Sequence, residues 1–364
     1  MTKQIKKFII DHIDPLGQGV FKEGEEIFFI PKVLPKEEGT FEILKTKKGV
    51  NLGRLLELTK SSELRSKPEC EHFDKCPGCH FQHMDYKTEL EFKTNTFRRL
   101  LKRISESPEI SLIPSTQRFH YRNRVQLHYN VKEQKIGFLD AKSQDYIEPT
   151  NCIISNQNVQ NEVDHLLNNS NWIKKARKLK QNKGHVEVYF NNFEVKINWN
   201  KKYSDGGFTQ VNKDTNDLFK ETLKKIIPSN SNILDLFGGN GNMSDLLEYK
   251  NRMCIDIYKS QSLSDDFISL DLFNSESLDD FKAIDKIKDF DLIVIDPPRS
   301  GFKNISSWIN AYPVKTIAYI SCNAQTLVRD IQEIHSEYKV KSAFLIDFFP
   351  ATYHFESCII LEKR

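Results

Sequence analysis

The sequence predicts an α/β protein whose C-terminal part is a parallel sheet with helices, behind a small β-barrel and a central α+β region. Three observations predict it. From about residue 205 onward, apolar strand-like runs alternate with helical periodicity. A strand runs straight into a glycine turn in ILDLFGGNGN, residues 233–242. The first 58 residues carry short apolar runs punctuated by glycine, with no helical period. With 364 residues, two or three domains are expected. The pattern divides them at 1–58, 59–204 and 205–364.

In residues 1–58 the runs 7–10, 27–30 and 40–44 are separated by Gly17, Gly19, Gly24 and Gly39, which suits a small barrel of the nucleic-acid-binding kind. Residues 59–83 hold the first cysteines, and 84–104 have helical periodicity. Residues 118–200 alternate as strands do, around a helical patch near 157–180. The alternating region opens with a helix over 212–227, capped by Asn212 and stopped by Pro228. Strands follow at 233–237, 252–257, 291–295 and 316–320. Helices are expected at 242–248 and 323–334, and two strands, 342–348 and 355–362, end the chain.

Composition narrows the function classes. No apolar run approaches a membrane span, and the basic start MTKQIKKFIIDHID is too short in apolar residues for a signal peptide. A cytoplasmic location is therefore expected. In a reducing compartment the seven cysteines should be ligands, catalytic thiols or core residues. Net charge is only +3, but it is unevenly spread. Residues 172–183 are densely basic, 117–129 interleave arginine with aromatic side chains, and 263–291 are acidic. That asymmetry suits a face for a polyanion, with Phe119, Tyr121, Arg122 and Arg124 as candidates for stacking and phosphate contact. A solvated helix face explains 172–183 equally well from charge alone.

Four motifs carry chemistry. Gly238, Gly239 and Gly241 let the backbone turn sharply and approach a ligand, and Asp256 lies where such folds hold a ribose hydroxyl, about 20 residues on. GxGxxG is absent, which favours S-adenosylmethionine over a dinucleotide, with Asn242 placed for the amino-acid end. In DLIVIDPPRSG (291–301), Asp296 ends a buried strand where open α/β sheets bind ligands. Cys322, in SCN, ends the next strand just before a helix, where the helix field should lower its pKa and make it a nucleophile. Glu356, in HFES after a proline-bearing loop, is the candidate general base. Separately, CEHFDKCPGC places Cys70, Cys76 and Cys79 in a C-x5-C-x2-C array, with Cys152 at long range. Four thiolates hold zinc or an iron–sulfur cluster, and spacing does not decide between them. His72, His80 and His83 are further possible zinc ligands.

Together DLFGGNGN, DPPRSG, SCN and HFES resemble the RNA 5-methyluridine methyltransferases. The resemblance covers the C-terminal half and implies a Rossmann-like S-adenosylmethionine-dependent domain. It implies that Cys322 adds to C6 of uracil, that C5 then takes the methyl, and that Glu356 removes the C5 proton. Asp296 would contact uracil or cofactor. FTQVN (208–212) matches the family's FxQVN, so Gln210 should touch S-adenosylmethionine, as should Phe237, Asn242 and Asp256. Asp271, in the short acidic segment 258–290, is assigned to the adenine side. Two positions depart from the family: Gly239 stands beside Gly238 where Cys-Gly is usual, and Asp256 replaces a glutamate. The cysteine array followed by QH resembles the ribosomal-RNA branch, which implies a structural 4Fe-4S cluster on Cys70, Cys76, Cys79 and Cys152. The N-terminal segment resembles an RNA-binding TRAM barrel.

The expected function is thus methylation of uridine C5 in RNA, with 23S ribosomal RNA first and transfer RNA second. The expected protein is monomeric and binds no membrane. A radical S-adenosylmethionine enzyme fits less well, because its clusters use C-x3-C-x2-C. An amino-methyltransferase fits less well, because Arg299 stands where such enzymes have an aromatic residue. A non-catalytic RNA-binding or assembly factor sits poorly with an intact Cys322 and Glu356. The target base must leave its stack in any of the uridine readings.

Overall fold

A computed structural model describes residues 4–47, 49–106, 109–140, 145–191, 193–201, 210–239, 241–257, 266–284 and 289–364. Phe208 and Thr209 of the FTQVN element lie outside them. The chain forms two compact units: residues 1–93, 117–203 and 349–354 in the first, and 94–116, 204–348 and 355–364 in the second. No helix among the described residues is long and apolar enough to cross a membrane.

The first unit begins with strands β1 (Ile5–Ile9), β2 (His12–Ile13), β3 (Gln18–Glu23), β4 (Glu26–Pro31), β5 (Glu38–Lys47) and β6 (Val50–Lys60). They form one sheet in the order β1-β5-β6-β4-β3-β2. Alternate residues point inward, so Phe8, Phe21, Phe28 and Phe41 meet in one aromatic core, with Phe21 stacked on Phe28 at 4.7 Å. Helix α1 (Tyr86–Leu101) follows, and the division between the units falls within it. Its Glu89 is buried and accepts from Lys93 Nζ (2.7 Å) and from the Ala351 amide (2.7 Å). Beyond β7 (Ile110–Ile113) come β8 (Arg124–Asn130), β9 (Lys135–Leu139), β10 (Tyr146–Ile147), α2 (Gln157–Asn168), α3 (Asn171–Lys178), β11 (Lys183–Asn191) and β12 (Glu194–Trp199). Strands β8 to β12 make a second sheet, ordered β10-β9-β8-β11-β12, with α2 and α3 packed on its apolar face.

The second unit supplies α4 (Lys213–Ile226), β13 (Ser231–Leu236), β14 (Tyr249–Asp256), β15 (Phe267–Ser269), α5 (Ser277–Ile284), β16 (Leu292–Ile295), α6 (Ile305–Ala311), β17 (Thr316–Ser321), α7 (Ala324–Gln332), β18 (Tyr338–Ile346) and β19 (Glu356–Lys363). Its eight-stranded sheet runs β15-β14-β13-β16-β17-β19-β18-β7. Strands β13 to β17 pair in parallel, while β19 is antiparallel to both neighbours. All four residues of β16 are buried, as expected of a strand covered on both faces. The chain leaves β13 toward β14 on one side and reaches β16 on the other. In open α/β sheets such a reversal is where ligands bind, here at the carboxyl ends of β13 and β16.

Two local expectations are corrected. Residues 242–248 form turns rather than a helix. Strand β7, from the stretch expected in the central domain, joins the C-terminal sheet beside β18.

Candidate active site

The register of the C-terminal sheet sets out the site. Strands β17 and β19 pair with Ser321 opposite Ser357 as the last rung. The Ser357 hydroxyl donates to the Ser321 carbonyl at 2.9 Å. Cys322 follows Ser321 and Glu356 precedes Ser357, so the two lie just past this last rung, and the Glu356 charge acts on the Cys322 thiol. Thus the last strand, entering antiparallel, brings a carboxyl to the thiol at the carboxyl edge of the parallel strands.

Electrostatics at this edge are dominated by burial. The Glu356 side chain is buried, and burial pushes its carboxyl well above the usual range. The Asp296 charge adds to the rise, and Arg299 opposes it. Asp296, ending β16, is pushed up to about 7 by burial and by Asp235 and Asp256. The Cys322 thiol is pushed up to about 12, first by burial and then by the Glu356 carboxyl. Arg299 counters this through its charge and a side-chain hydrogen bond to Cys322. The expected lowering of the thiol is therefore overturned. Removal from water beside carboxyl groups outweighs the N-terminus of α7.

Arg299 was not singled out as a site residue by the sequence, and its placement depends on α7. The Asn323 side-chain amide donates to the Arg299 carbonyl at 3.1 Å, and the Thr326 hydroxyl does so at 3.3 Å. Arg329 donates to the Ser300 carbonyl at 2.9 Å. Buried Asp330 accepts from the Phe302 amide (2.6 Å) and from the Tyr319 hydroxyl (2.5 Å). The turn closes at Gly301, with φ of 76°, where a Cβ would lie 2.4 Å from Asp330 Oδ2. The residues after DPPR are thus fastened to a helix that begins two residues past Cys322.

A second group lies at the ends of β13 and β14. Phe237, at φ of 61°, sets its ring 5.0 Å from Phe302 and 5.5 Å from Phe273. The Gly239 amide donates to Asp256 Oδ2 at 3.0 Å. A Cβ on Gly238 would come within 2.4 Å of the Cys254 sulfur, so the close turn needs glycine there. Asn242 Oδ1 accepts from Asn216 Nδ2 at 3.2 Å, while Asn216 Oδ1 is buried with no hydrogen bond among the described residues. Gln210 is buried just ahead of α4, whose N-cap is Asn212. Asp271 is exposed after β15, and its Oδ1 accepts from the Phe273 amide at 3.0 Å. The register and these contacts bring Phe237, Asn242, Asp256 and Asp296 to one edge of the sheet. Asp271 follows Leu270, whose amide donates to the Asp256 carbonyl at 3.1 Å.

In the first unit, the Phe73 amide bonds the Cys70 carbonyl (3.1 Å) and the Cys76 amide bonds the His72 carbonyl (2.7 Å). His72 Nε2 meets Thr150 Oγ1 at 2.9 Å, joining this segment to the one that carries Cys152. Burial pushes the Cys79 thiol up to about 12 and raises those of Cys70 and Cys76, and Cys152 adds to all three rises. The four thiols are therefore within electrostatic reach of one another. Among the described residues, no three His, Cys, Asp or Glu side chains gather as the ligand set of a single ion. Two expected RNA contacts are corrected here. Tyr121 is buried and donates to the Pro350 carbonyl at 3.0 Å, and Arg124 is buried in a 2.9 Å pair with Glu187.

Residues 263–364 match the family model described as tRNA (uracil-5-)-methyltransferase. Over these residues the chain is similar to the RNA uracil-5-methyltransferases. These residues hold β16, the DPPR turn, Cys322, α7 and Glu356, so the family segment is the one that builds the thiol–carboxyl edge. The chain is 26% identical over 426 residues to a Vibrio vulnificus protein named 23S rRNA (uracil(1939)-C(5))-methyltransferase, covering 98% of this chain and 96% of that one. A Shewanella woodyi protein of the same name is 23% identical over 97% of this chain and 95% of its own. In fold, the chain resembles the Pyrococcus abyssi tRNA (uracil-54, C5)-methyltransferase solved with S-adenosyl-L-homocysteine. The TM-score is 0.72 at 20% identity, covering 98% of this chain and all of the other.

Proposed function

We propose that this enzyme transfers a methyl group to C5 of a uridine in large-subunit ribosomal RNA, with Cys322 as nucleophile and Glu356 as base. One observation supports the reading: at the end of the β17–β19 pairing, the Glu356, Asp296 and Arg299 charges all act on the Cys322 thiol. The names of the relatives favour ribosomal RNA, and transfer RNA is the second reading, favoured by the name of the matching family. S-adenosylmethionine supplies the methyl group. Phe237, Gly239, Asn242 and Asp256 would hold it, and the unpartnered Asn216 oxygen suits its amino group.

Uracil C5 is a poor nucleophile until C6 is attacked. In the reading proposed, the Cys322 sulfur bonds C6 after losing its proton, and the electron pair moves to C5 and the C4 oxygen. C5 takes the methyl group as its bond to the sulfonium sulfur breaks and S-adenosylhomocysteine leaves, Glu356 takes the C5 proton, and the C6–S bond breaks to return the thiolate. Because the thiol starts near 12, its anion needs a cation, and Arg299 is placed to be that cation. Asp296, near 7, can accept a proton at physiological pH.

A structural 4Fe-4S cluster on Cys70, Cys76, Cys79 and Cys152 is proposed, supported by the effect of the Cys152 thiol on the other three. Bound there, the cluster would tie the 70–79 segment to the 152 segment as a structural link. A monomeric, cytoplasmic enzyme is the form proposed.

The test is incubation with S-adenosylmethionine and ribosomal RNA carrying 5-fluorouridine. Fluorine cannot leave as a proton does, so an adduct on Cys322 should accumulate and be seen by peptide mass spectrometry. Methyl transfer that proceeds unchanged in Cys322→Ala would sink the mechanism.

A further inference from the structure

The basic run at residues 172–183 has a definite form. Helix α3 buries Trp172 and Ala176, with the Trp172 ring 6.0 Å from that of Tyr129. Lys174, Lys175, Arg177 and Lys178 stay exposed, and so do Lys180 and Lys183 just beyond the helix. No acid lies between Asp164 and Glu187. None of these six side chains makes an ion pair among the described residues, whereas Lys135 and Lys196 of the same unit pair with Glu133 and Glu194. Six positive charges in a chain of net charge +3 leave the remainder net acidic. The charge is therefore gathered here rather than spread.

The turn that ends α3 adds an independent observation. Lys180 holds φ of 56°, in the left-handed region, while its amide bonds the Arg177 carbonyl at 2.9 Å. The Gln181 amide reaches back to the Ala176 carbonyl at 3.3 Å. Glycine takes this helix-ending conformation without a Cβ clash. A lysine there gives up local stability and keeps a charge. An ordinary solvated helix face calls for neither the strain nor the missing acids.

We propose that α3 and its C-terminal turn form a phosphate-binding face that grips the RNA backbone and supplies affinity rather than chemistry. This rests on the reading that RNA is the substrate. It also gives the first unit phosphate contacts that Tyr121 and Arg124, buried in their own partnerships, do not provide.

The experiment uses the full chain and protein-free large-subunit ribosomal RNA, with binding measured across a range of salt. Lys174→Gln, Lys175→Gln, Arg177→Gln and Lys178→Gln are combined in one variant. Each lost phosphate contact should lower the slope of log affinity against log salt by about 0.7 to 0.9, so a total loss of about 3 to 3.5 is expected for the four. KM for RNA should rise about tenfold or more, with kcat at saturating RNA unchanged. Lys180→Gly should weaken binding without lowering Tm, which separates charge from folding. An unchanged slope and affinity in the fourfold variant overturns the proposal. So does loss of binding to phosphatidylserine vesicles with RNA binding intact, and so does a parent protein that does not bind RNA. Binding needs no methyl transfer. A variant that loses its salt slope while the parent fails to methylate uridine would leave this face standing and remove the uridine reading.

Discussion

At the scale of the residue, the important fact about Cys322 is its acidity. The sequence places the thiol at a strand exit before a helix, and that position is correct. Its pKa was not legible, because the groups that raise it come from β16 and β19, distant in sequence and joined only by pairing. With the thiol near 12, alkylation of Cys322 by iodoacetamide should still be rising with pH at 9. Arg299→Gln should slow it further, about tenfold at pH 9 for a rise of one pKa unit. Peptide mass spectrometry separates Cys322 from the other six cysteines. A plateau of reactivity below pH 8 would show an acidic thiol and remove the need for Arg299. Turnover should follow the same sense. Burial raises Asp296 to about 7, so kcat should climb from pH 6 to 8 as it ionises, and burial of Glu356, which raises its carboxyl as well, acts in the same direction.

At the scale of the element, α7 does more than cover the sheet. It holds the DPPR turn at the Arg299, Ser300 and Phe302 backbone, with Asp330 at the centre. Asp330→Asn should cost about 2–3 kcal/mol of stability, because a buried carboxylate with charge-assisted bonds becomes a neutral amide. Gly301→Ala should cost at least about 1–2 kcal/mol from left-handed backbone alone, before the clash with Asp330. Chemical denaturation measures both, and little change in either would mean that the turn is not held by the helix. Strand β13 carries a pH-dependent element of its own. Buried Asp235 has its carboxyl raised from 3.8 to about 7, chiefly by burial. A raised folded pKa gives stability that is full below 3.8 and lost as pH climbs to about 7. Asp235→Asn should therefore flatten the Tm–pH curve across that window. Most strands and helices were legible from periodicity, including the Asn212 cap, whose side chain accepts from the Thr215 amide. The helix expected at 242–248 was not. Gly241 sits at φ of 72° and the Asp245 carboxylate is taken by Arg252, so the segment closes as successive turns.

At the scale of the whole molecule, chain order and spatial grouping diverge, which limits what a sequence can disclose. Residues 349–354 belong to the first unit, although the strands on either side of them belong to the second. Strand β7 does the reverse. The cysteine set shows the same effect: three thiols are local, and the fourth is reached only through folding, with His72 bonded to Thr150 nearby. That arrangement makes a specific prediction. If a 4Fe-4S cluster joins the segments, Cys152→Ala should lower iron and acid-labile sulfide per chain together and depress the Tm of the first unit. S-adenosylmethionine binding, followed by calorimetry, should persist, because Phe237, Asn242 and Asp256 belong to the second unit. Parent protein purified without oxygen and holding zinc instead of iron would replace the cluster with a structural zinc site. Cys152→Ala with iron, sulfide and Tm all unchanged would remove Cys152 from the ligand set. Loss of S-adenosylmethionine binding along with iron would show that the units do not fold independently, and the cysteines would then support the cofactor crevice as well as their own segment.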